Sequence, residues 1–364
     1  MIHSNLIKDI DIQQQIKVNG LRYCTDQSPG ISRIRRNKKF IYLDQHGEIV
    51  QNELVLKRIN ALVIPPAWEN VWISPWENSH LQATGRDARN RKQYRYHTVW
   101  RKLKDEVKYD RMINFGKHLP LIRQKLNQAL KMQGLPREKV LATVVYLLQL
   151  TMIRVGNDEY AKTNHSYGMT TLRNKHVKID GSEINFHFKG KSGVEHSITV
   201  QDKKLAKIVQ RIKDLPGQEL FQYVDDSGAR HSITSTDVNQ YLHEITNEDF
   251  TAKDFRTWFG TVLTAMSLYF SEKCENPNDA KKVILNAIQF TSKKLGNTPA
   301  ICRKCYIHPV VISSYIDGVF SKTIENAIKK NCLANESQDL ESILENGLSL
   351  GELALLTFLE EQVG

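Results

Sequence analysis

Pro136-Arg137-Glu138-Lys139-Val140-Leu141-Ala142-Thr143-Val144-Val145-Tyr146-Leu147-Leu148-Gln149-Leu150 decides how the larger part of this chain folds. Pro136 has the fixed φ that suits a helix start. The apolar positions Val140, Leu141, Val144, Val145, Leu147, Leu148 and Leu150 then leave almost no polar face. A helix that is apolar nearly all round is a buried one, so this stretch predicts the centre of a helical domain, with Arg154 delivered at its end. Upstream, Leu121, Ile122, Leu126, Ala129 and Leu130 share one helical face, and Gly134 stops the run. Downstream, Ile184, Phe186 and Phe188 alternate with polar residues, Gly190-Lys191-Ser192-Gly193 follows, and Val194, Ile198 and Val200 resume the alternation. That pattern predicts a β-hairpin with Lys191 at its tip. Thr251 caps a further helix bearing Phe255, Phe259, Val262, Leu263 and Met266, with Arg256 in its first turns, and helical segments near 278–292 and 338–361 complete the domain.

Residues 20 to 80 read differently. Phe40-Ile41-Tyr42-Leu43-Asp44, the turn residues His46-Gly47, and Glu48-Ile49-Val50 resemble a hairpin. Glu53 to Asn60 is a short helical segment, Ile64-Pro65-Pro66-Ala67-Trp68 forbids helix, and Val71-Trp72-Ile73 is a strand candidate. The expectation is an α+β protein: a small β-rich N-terminal domain over 1–100 and a larger, mainly helical domain over 101–364.

The length suits two or three domains, 40% hydrophobic residues suffice for real cores, and a formal charge of +11 favours a polyanionic partner, nucleic acid above all. The densest basic stretch runs Thr84-Gly85-Arg86-Asp87-Ala88-Arg89-Asn90-Arg91-Lys92-Gln93-Tyr94-Arg95-Tyr96-His97. A charge run alone is usually a solvated surface. Here Gln93, Tyr94 and Tyr96 stand among the cations Arg86, Arg91 and Lys92, and amide, phenol and guanidinium groups read bases and sugars while surplus cations take phosphates. A second cluster, Arg33, Arg35, Arg36, Lys38 and Lys39, reads as a basic strand edge. No apolar stretch reaches membrane-spanning length and the N-terminus lacks a secretory h-region, so the expected location is the compartment that holds DNA: a bacterial cytoplasm and nucleoid, or that of a virus-encoded enzyme. Five cysteines with a single CxxC pair, Cys302 and Cys305, are expected to be reduced thiols and not a zinc site. No nucleotide-binding GxxxxGK[ST] loop and no carboxylate cluster for Mg²⁺ is present, so no cofactor is expected.

Chemistry gathers around Tyr306, in Leu295-Gly296-Asn297-Thr298-Pro299-Ala300-Ile301-Cys302-Arg303-Lys304-Cys305-Tyr306-Ile307-His308-Pro309. A phenol has an unperturbed pKa of about 10, so as a nucleophile toward a phosphodiester it needs cations to favour phenolate and to hold charge on five-coordinate phosphorus. Arg154, Lys191 and Arg256 are such cations, although taken singly each reads as a structural ion pair or a solvated lysine. His176, His187, His196 and His308 read as core or surface residues.

Taken in order, these segments resemble one family. Ile153-Arg154-Val155-Gly156-Asn157-Asp158-Glu159-Tyr160, Gly168-Met169-Thr170-Thr171-Leu172-Arg173, Gly190-Lys191-Ser192-Gly193, Lys253-Asp254-Phe255-Arg256-Thr257-Trp258 and the Tyr306 segment resemble the bacterial and poxvirus-like type IB DNA topoisomerases. So do Pro29-Gly30-Ile31-Ser32-Arg33, Ile64-Pro65-Pro66-Ala67-Trp68 and Gln82-Ala83-Thr84-Gly85-Arg86-Asp87; the likeness spans roughly residues 25 to 320. The resemblance implies the fold shared by tyrosine recombinases and type IB topoisomerases, with a β-hairpin carrying the catalytic lysine. It implies Tyr306 as the nucleophile that forms a 3′-phosphotyrosyl bond, Arg154 and Arg256 on the scissile phosphate, and Lys191 as general acid. Asn297 stands where the poxvirus pattern has histidine; an amide donates a hydrogen bond but carries no proton, so only transition-state stabilisation is assigned to it. Ser79 in place of a glycine and Cys305 in place of a serine are smaller departures. The implied activity is relaxation of duplex DNA without ATP or metal, by a monomer that clamps the double helix and touches no membrane.

The nearest alternative is a tyrosine recombinase, which uses nearly the same five residues. Its second arginine usually lies in HxxR, whereas Lys253 stands three before Arg256 here. A catalytically silent DNA-binding protein would use only the basic face.

Overall fold

A computed structural model describes residues 13–37, 39–88, 90–271, 277–334 and 347–363. The chain divides into two compact units, Met1–Lys108 and Tyr109–Gly364, the division falling inside the helix Thr98–Leu130.

In the first unit, strands β1 (Ile31–Arg36), β2 (Lys39–Leu43), β3 (Glu69–Ile73), β4 (Leu81–Arg86) and β5 (Lys92–Tyr96) form one antiparallel sheet in the order β2-β1-β3-β4-β5. The helix Glu53–Ala61, capped by Asn52 through Oδ1, brings Ile59 against Ile31, Val71, Ile73 and Ala83. The turn expected after Leu43 forms, with the Gly47 amide donating to Asp44 O at 3.1 Å. Its second arm is short, an isolated bridge from Leu43 to Ile49 flanked by the Val50 amide donating to Tyr42 O at 2.9 Å and the Asp44 amide to Glu48 O at 2.8 Å, while β1 takes the other side of β2. Of the Arg33 cluster, Arg33 itself is not on a strand edge, since it pairs with Tyr42 on one side and Val71 on the other, whereas Arg35 and Arg36 pair only with β2 and Lys39 lies on β2, the edge strand. Arg33 donates to Pro65 O at 3.0 Å and Trp68 O at 2.7 Å, satisfying carbonyls of a proline-rich segment that has no ladder to join. Lys38 and Arg89 lie outside the described residues.

In the second unit the helix Arg137–Thr151 is the buried centre its sequence predicts, with Val140, Leu141, Ala142, Val144, Val145 and Leu147 each 0% exposed. Leu150 is the exception at 43% exposed. The helix stops before Arg154: Met152 adopts a left-handed φ of 53°, and Arg154 follows on non-helical backbone. Strands β6 (Val177–Asp180), β7 (Glu183–Lys189) and β8 (Glu195–Gln201) form an antiparallel sheet in that order, so the expected hairpin carries a third strand. A two-stranded pair, β9 (Gln222–Val224) with β10 (Arg230–Ser232), stands apart from it. Helices Ala252–Tyr269, Pro277–Leu295, Pro299–Tyr306, Pro309–Ile316, Phe320–Ala334 and Leu350–Val363 complete the unit, three of them opening on proline at a position with no amide to lose. Part of the helix expected near 338–361 lies outside the described residues, and the described helix begins at Leu350.

That last helix is tied to the core by a buried ion pair. Glu352, 2% exposed, receives both Nη atoms of Arg123, at 3.0 and 2.9 Å, together with Trp258 Nε1 at 3.2 Å. It also accepts from the Ser349 amide at 2.8 Å, closing the start of its own helix. Removing one member of such a pair strands a buried charge. Glu352→Ala is therefore expected to lower unfolding stability by about 3–5 kcal/mol, read as a shifted urea midpoint; a change under about 1 kcal/mol contradicts it.

Candidate active site

Arg154 owes its place to its own backbone. Its carbonyl accepts from the Met169 amide at 2.8 Å and that of Val155 from the Thr170 amide at 2.7 Å, which pins the post-helical segment to the Gly168–Thr171 turn. The guanidinium then reaches the turn after the helix Pro277–Leu295, donating to Gly296 O at 3.3 Å and to Asn297 Oδ1.

Arg256 sits in the second turn of the helix Ala252–Tyr269, whose start is closed by the Thr251 amide donating to Asp254 Oδ2 at 2.7 Å. It is 4% exposed and donates to Leu295 O at 2.8 Å and to Met152 O. Its Nε is buried with no hydrogen-bond partner among the described residues, and so is Asn297 Nδ2. Burial pushes the Arg256 guanidinium down to about 10, against the opposing pull of the Tyr306 phenol, so it is cationic at neutral pH. Burial lowers Arg154 too, again with Tyr306 opposing.

Tyr306 is the last residue of the helix Pro299–Tyr306, its ring centroid 5.0 Å from Arg256 Cζ. Two hydroxyls that sequence reasoning missed hold the chain there. Thr261 Oγ1 donates to Tyr306 O at 3.2 Å, and Tyr109 Oη donates to Ile307 O at 3.0 Å.

Lys191 lies in the turn between β7 and β8, exposed, with Nζ 5.8 Å from the ring centroid of Tyr160. Arg154, Lys191, Arg256 and Tyr306 all line one cleft of about 280 Å³, together with Tyr160 and Lys253. Asn297 does not line it but is joined to it through Arg154. Tyr160 was legible as part of the Arg154–Tyr160 run, whereas no periodicity marked Thr261 or Tyr109. The arrangement is suited to a tetrahedral or five-coordinate oxyanion, with two guanidiniums beside a phenol and a primary amine within the same cleft.

The residues expected to meet nucleic acid fall on β4, β5 and the turn joining them, in the first unit. Lys92, Tyr94 and Tyr96 share the exposed face of β5, the two tyrosine rings stacked at 5.9 Å, while Gln93 points the other way and donates to Asp87 Oδ2 at 3.1 Å. Several of the cations are already partnered: Lys92 with Asp26 at 2.6 Å, Arg91 with Asp87 at 2.6 Å, and Arg86 with Asn90 O at 2.9 Å. Among the described residues no helix is long and apolar enough to cross a membrane.

Two family models match this chain: the catalytic core of eukaryotic DNA topoisomerase I over residues 97–332, and the N-terminal domain of bacterial DNA topoisomerase IB over residues 39–87. The DNA topoisomerase 1B of Acanthamoeba polyphaga mimivirus is 34% identical over 296 residues, covering 79% of this chain and 87% of that protein. The DNA topoisomerase 1B of Vaccinia virus (strain Copenhagen) is 25% identical over 257 residues, 69% of this chain and 78% of its own.

Proposed function

The chain belongs to the type IB DNA topoisomerases, isomerases that relax supercoiled DNA, and on that premise we propose that Tyr306 is its nucleophile and Arg154, Lys191, Arg256 and Asn297 its catalytic partners. Tyr306 gives up its phenolic proton to water, its Oη attacks the scissile phosphorus, the bond to the 5′-oxygen breaks, and a 3′-phosphotyrosyl ester forms. Lys191 gives its proton to the departing 5′-oxygen. Arg154 and Arg256 brace the non-bridging oxygens with fork-like, charge-assisted bonds, and Asn297 Nδ2 adds an uncharged donor. The free 5′-hydroxyl end then rotates about the intact strand, and its attack on the phosphotyrosyl ester restores the phosphodiester and the phenol. One diester replaces another at each step, so the cycle is close to neutral and consumes no ATP. In this reading the chain acts as a monomer on duplex DNA in a bacterial or viral DNA-holding compartment, the β-hairpin presents the catalytic lysine, and Lys92, Tyr94 and Tyr96 on β5, with Arg86, Arg91 and Gln93 around the β4–β5 turn, contact the duplex.

The observation that carries this reading is the convergence of the Tyr306 phenol with the buried Arg256 and the half-buried Arg154, beside unpaired donors among the described residues, Arg256 Nε and Asn297 Nδ2. Supercoiled plasmid incubated with the protein in EDTA without ATP tests it. A ladder of relaxed topoisomers, and DNA trapped on a peptide containing Tyr306 after denaturation, is expected. Unchanged plasmid, or recombined products, overturns it. Because a fork is needed at Arg256, Arg256→Lys is expected to slow single-turnover cleavage by on the order of 10²-fold despite keeping the charge; a rate near the parent's removes Arg256 from bidentate phosphate contact.

A further inference from the structure

We propose that His196 is a positioning residue for strand cleavage: its ring is wedged between the backbones of Gly190 and Gly296 and sets the spacing of Lys191 from the Arg154–Asn297 pair. The inference rests on the roles assigned above to those three residues. His196 lies on β8 directly opposite Phe188 on β7, and the two rings stack with centroids 5.0 Å apart at 14°. That stacking fixes the plane of the imidazole. A Cβ built on Gly190 would fall 2.6 Å from Cδ2 and Nε2 of this ring, and one built on Gly296 would fall 2.5 Å from its Cε1. No side chain fits at either place, so both backbones lie directly against the ring.

The two glycines come from different parts of the chain, and each immediately precedes a residue of the proposed catalytic set, Lys191 in the cleft and Asn297 joined to it through Arg154. Gly190 opens the turn that presents Lys191, a turn closed by the Gly190 amide donating to Val194 O at 2.7 Å and passing through left-handed Ser192 at φ 65°. Gly296 precedes Asn297, and its carbonyl is the oxygen to which Arg154 Nη2 donates at 3.3 Å. One ring therefore touches both the loop that holds the proposed acid and the turn that holds the proposed phosphate grip. Its electrostatics suit a spacer. Burial, then Arg154 and Arg256, hold the imidazole below its ordinary 6.5, against the opposing pull of Glu195, so at neutral pH the wedge is uncharged and does not repel the guanidiniums it adjoins.

Reacting groups misplaced by about 1 Å lose on the order of 10²-fold in rate. His196→Ala is accordingly expected to slow single-turnover cleavage of normal DNA by on the order of 10²-fold. With a 5′-bridging phosphorothiolate, whose thiolate leaves without a proton, the deficit should shrink, since the part transmitted through Lys191 no longer counts. His196→Phe, which keeps a flat ring against Phe188 and both glycines, should restore most of the rate. Two results overturn the proposal: an alanine variant within a few-fold of the parent on normal DNA, or a phenylalanine variant as slow as the alanine one, which would mean that the ring nitrogens act and not the ring's flat shape. If the alanine variant folds poorly by thermal melt, His196→Leu, which fills space without a flat face, carries the same expectation and the same refutations. Lys191→Ala is run in parallel. If the sulfur substrate does not rescue it, the assignment of Lys191 has failed; if it is rescued while His196→Ala cleaves at the parent rate, only the wedge has failed.

Discussion

Tyr306→Phe is expected to abolish plasmid relaxation and covalent capture of DNA while leaving duplex affinity close to that of the parent. The substitution deletes one oxygen. The ring that stands 5.0 Å from Arg256 Cζ remains, and so do the backbone contacts from Thr261 and to Ile307 that hold the helix end, so the fold has no reason to change. What is lost is the cleft phenol that opposes the burial-driven lowering of both Arg154 and Arg256; Tyr160 and Tyr167 line the same cleft and keep their hydroxyls in the variant. Loss of a covalent nucleophile costs on the order of 10⁴-fold or more. A Tyr306→Phe protein that still relaxes plasmid, or that yields DNA linked to another tyrosine, refutes the assignment.

Lys191→Ala is expected to have the next largest effect, about 10²- to 10⁴-fold on the cleavage step, because general-acid help to a poor alkoxide leaving group is of that size. The size alone does not separate proton donation from charge stabilisation. The substrate does. On a 5′-bridging phosphorothiolate the lysine variant should approach the parent, whereas Arg256→Ala should stay impaired, since charge on the non-bridging oxygens needs bracing in both cases. Equal slowing of Lys191→Ala on the two substrates would reduce Lys191 to a positional or electrostatic contact and turn attention to another amine, of which Lys253 lines the same cleft and Lys189 is the near neighbour in sequence. The exposure of Lys191 in its turn, against the burial of Arg256, suits these different tasks: a proton donor must reach its leaving group and be recharged by solvent, while a phosphate brace gains from a dry surrounding.

Much of this was legible in the chain. The nearly all-apolar run after Pro136 predicted a central helix because burial follows from hydrophobic periodicity within a few turns, and the alternation on either side of Lys191 predicted paired strands for the same local reason. Tyr306, Arg154, Lys191 and Arg256 were singled out by residue type and motif order, and the cleft does gather their side chains. The limits of local reading show equally plainly. Arg33 looked like part of a basic edge because its neighbours in sequence are cationic, but β1 lies inside the sheet and Arg33 serves carbonyls more than thirty positions away. Arg154 was expected at a helix end, and a left-handed Met152 detaches it so that it can follow the Met169–Thr170 amides instead.

A β-rich segment followed by a helical one, the buried central helix, the lysine-bearing turn and the family are all legible in the chain, since each is written in spacing that spans a few residues or in the order of short motifs. Long-range packing alone sets Arg154 against Asn297, 143 residues on, ties Glu352 to Trp258 and Arg123, and lays His196, which reads in sequence as a core or surface residue, between the glycines preceding Lys191 and Asn297. Those contacts depend on which distant backbones are brought within van der Waals reach, and that is settled by the packing of the whole core and not by any periodicity a segment carries alone.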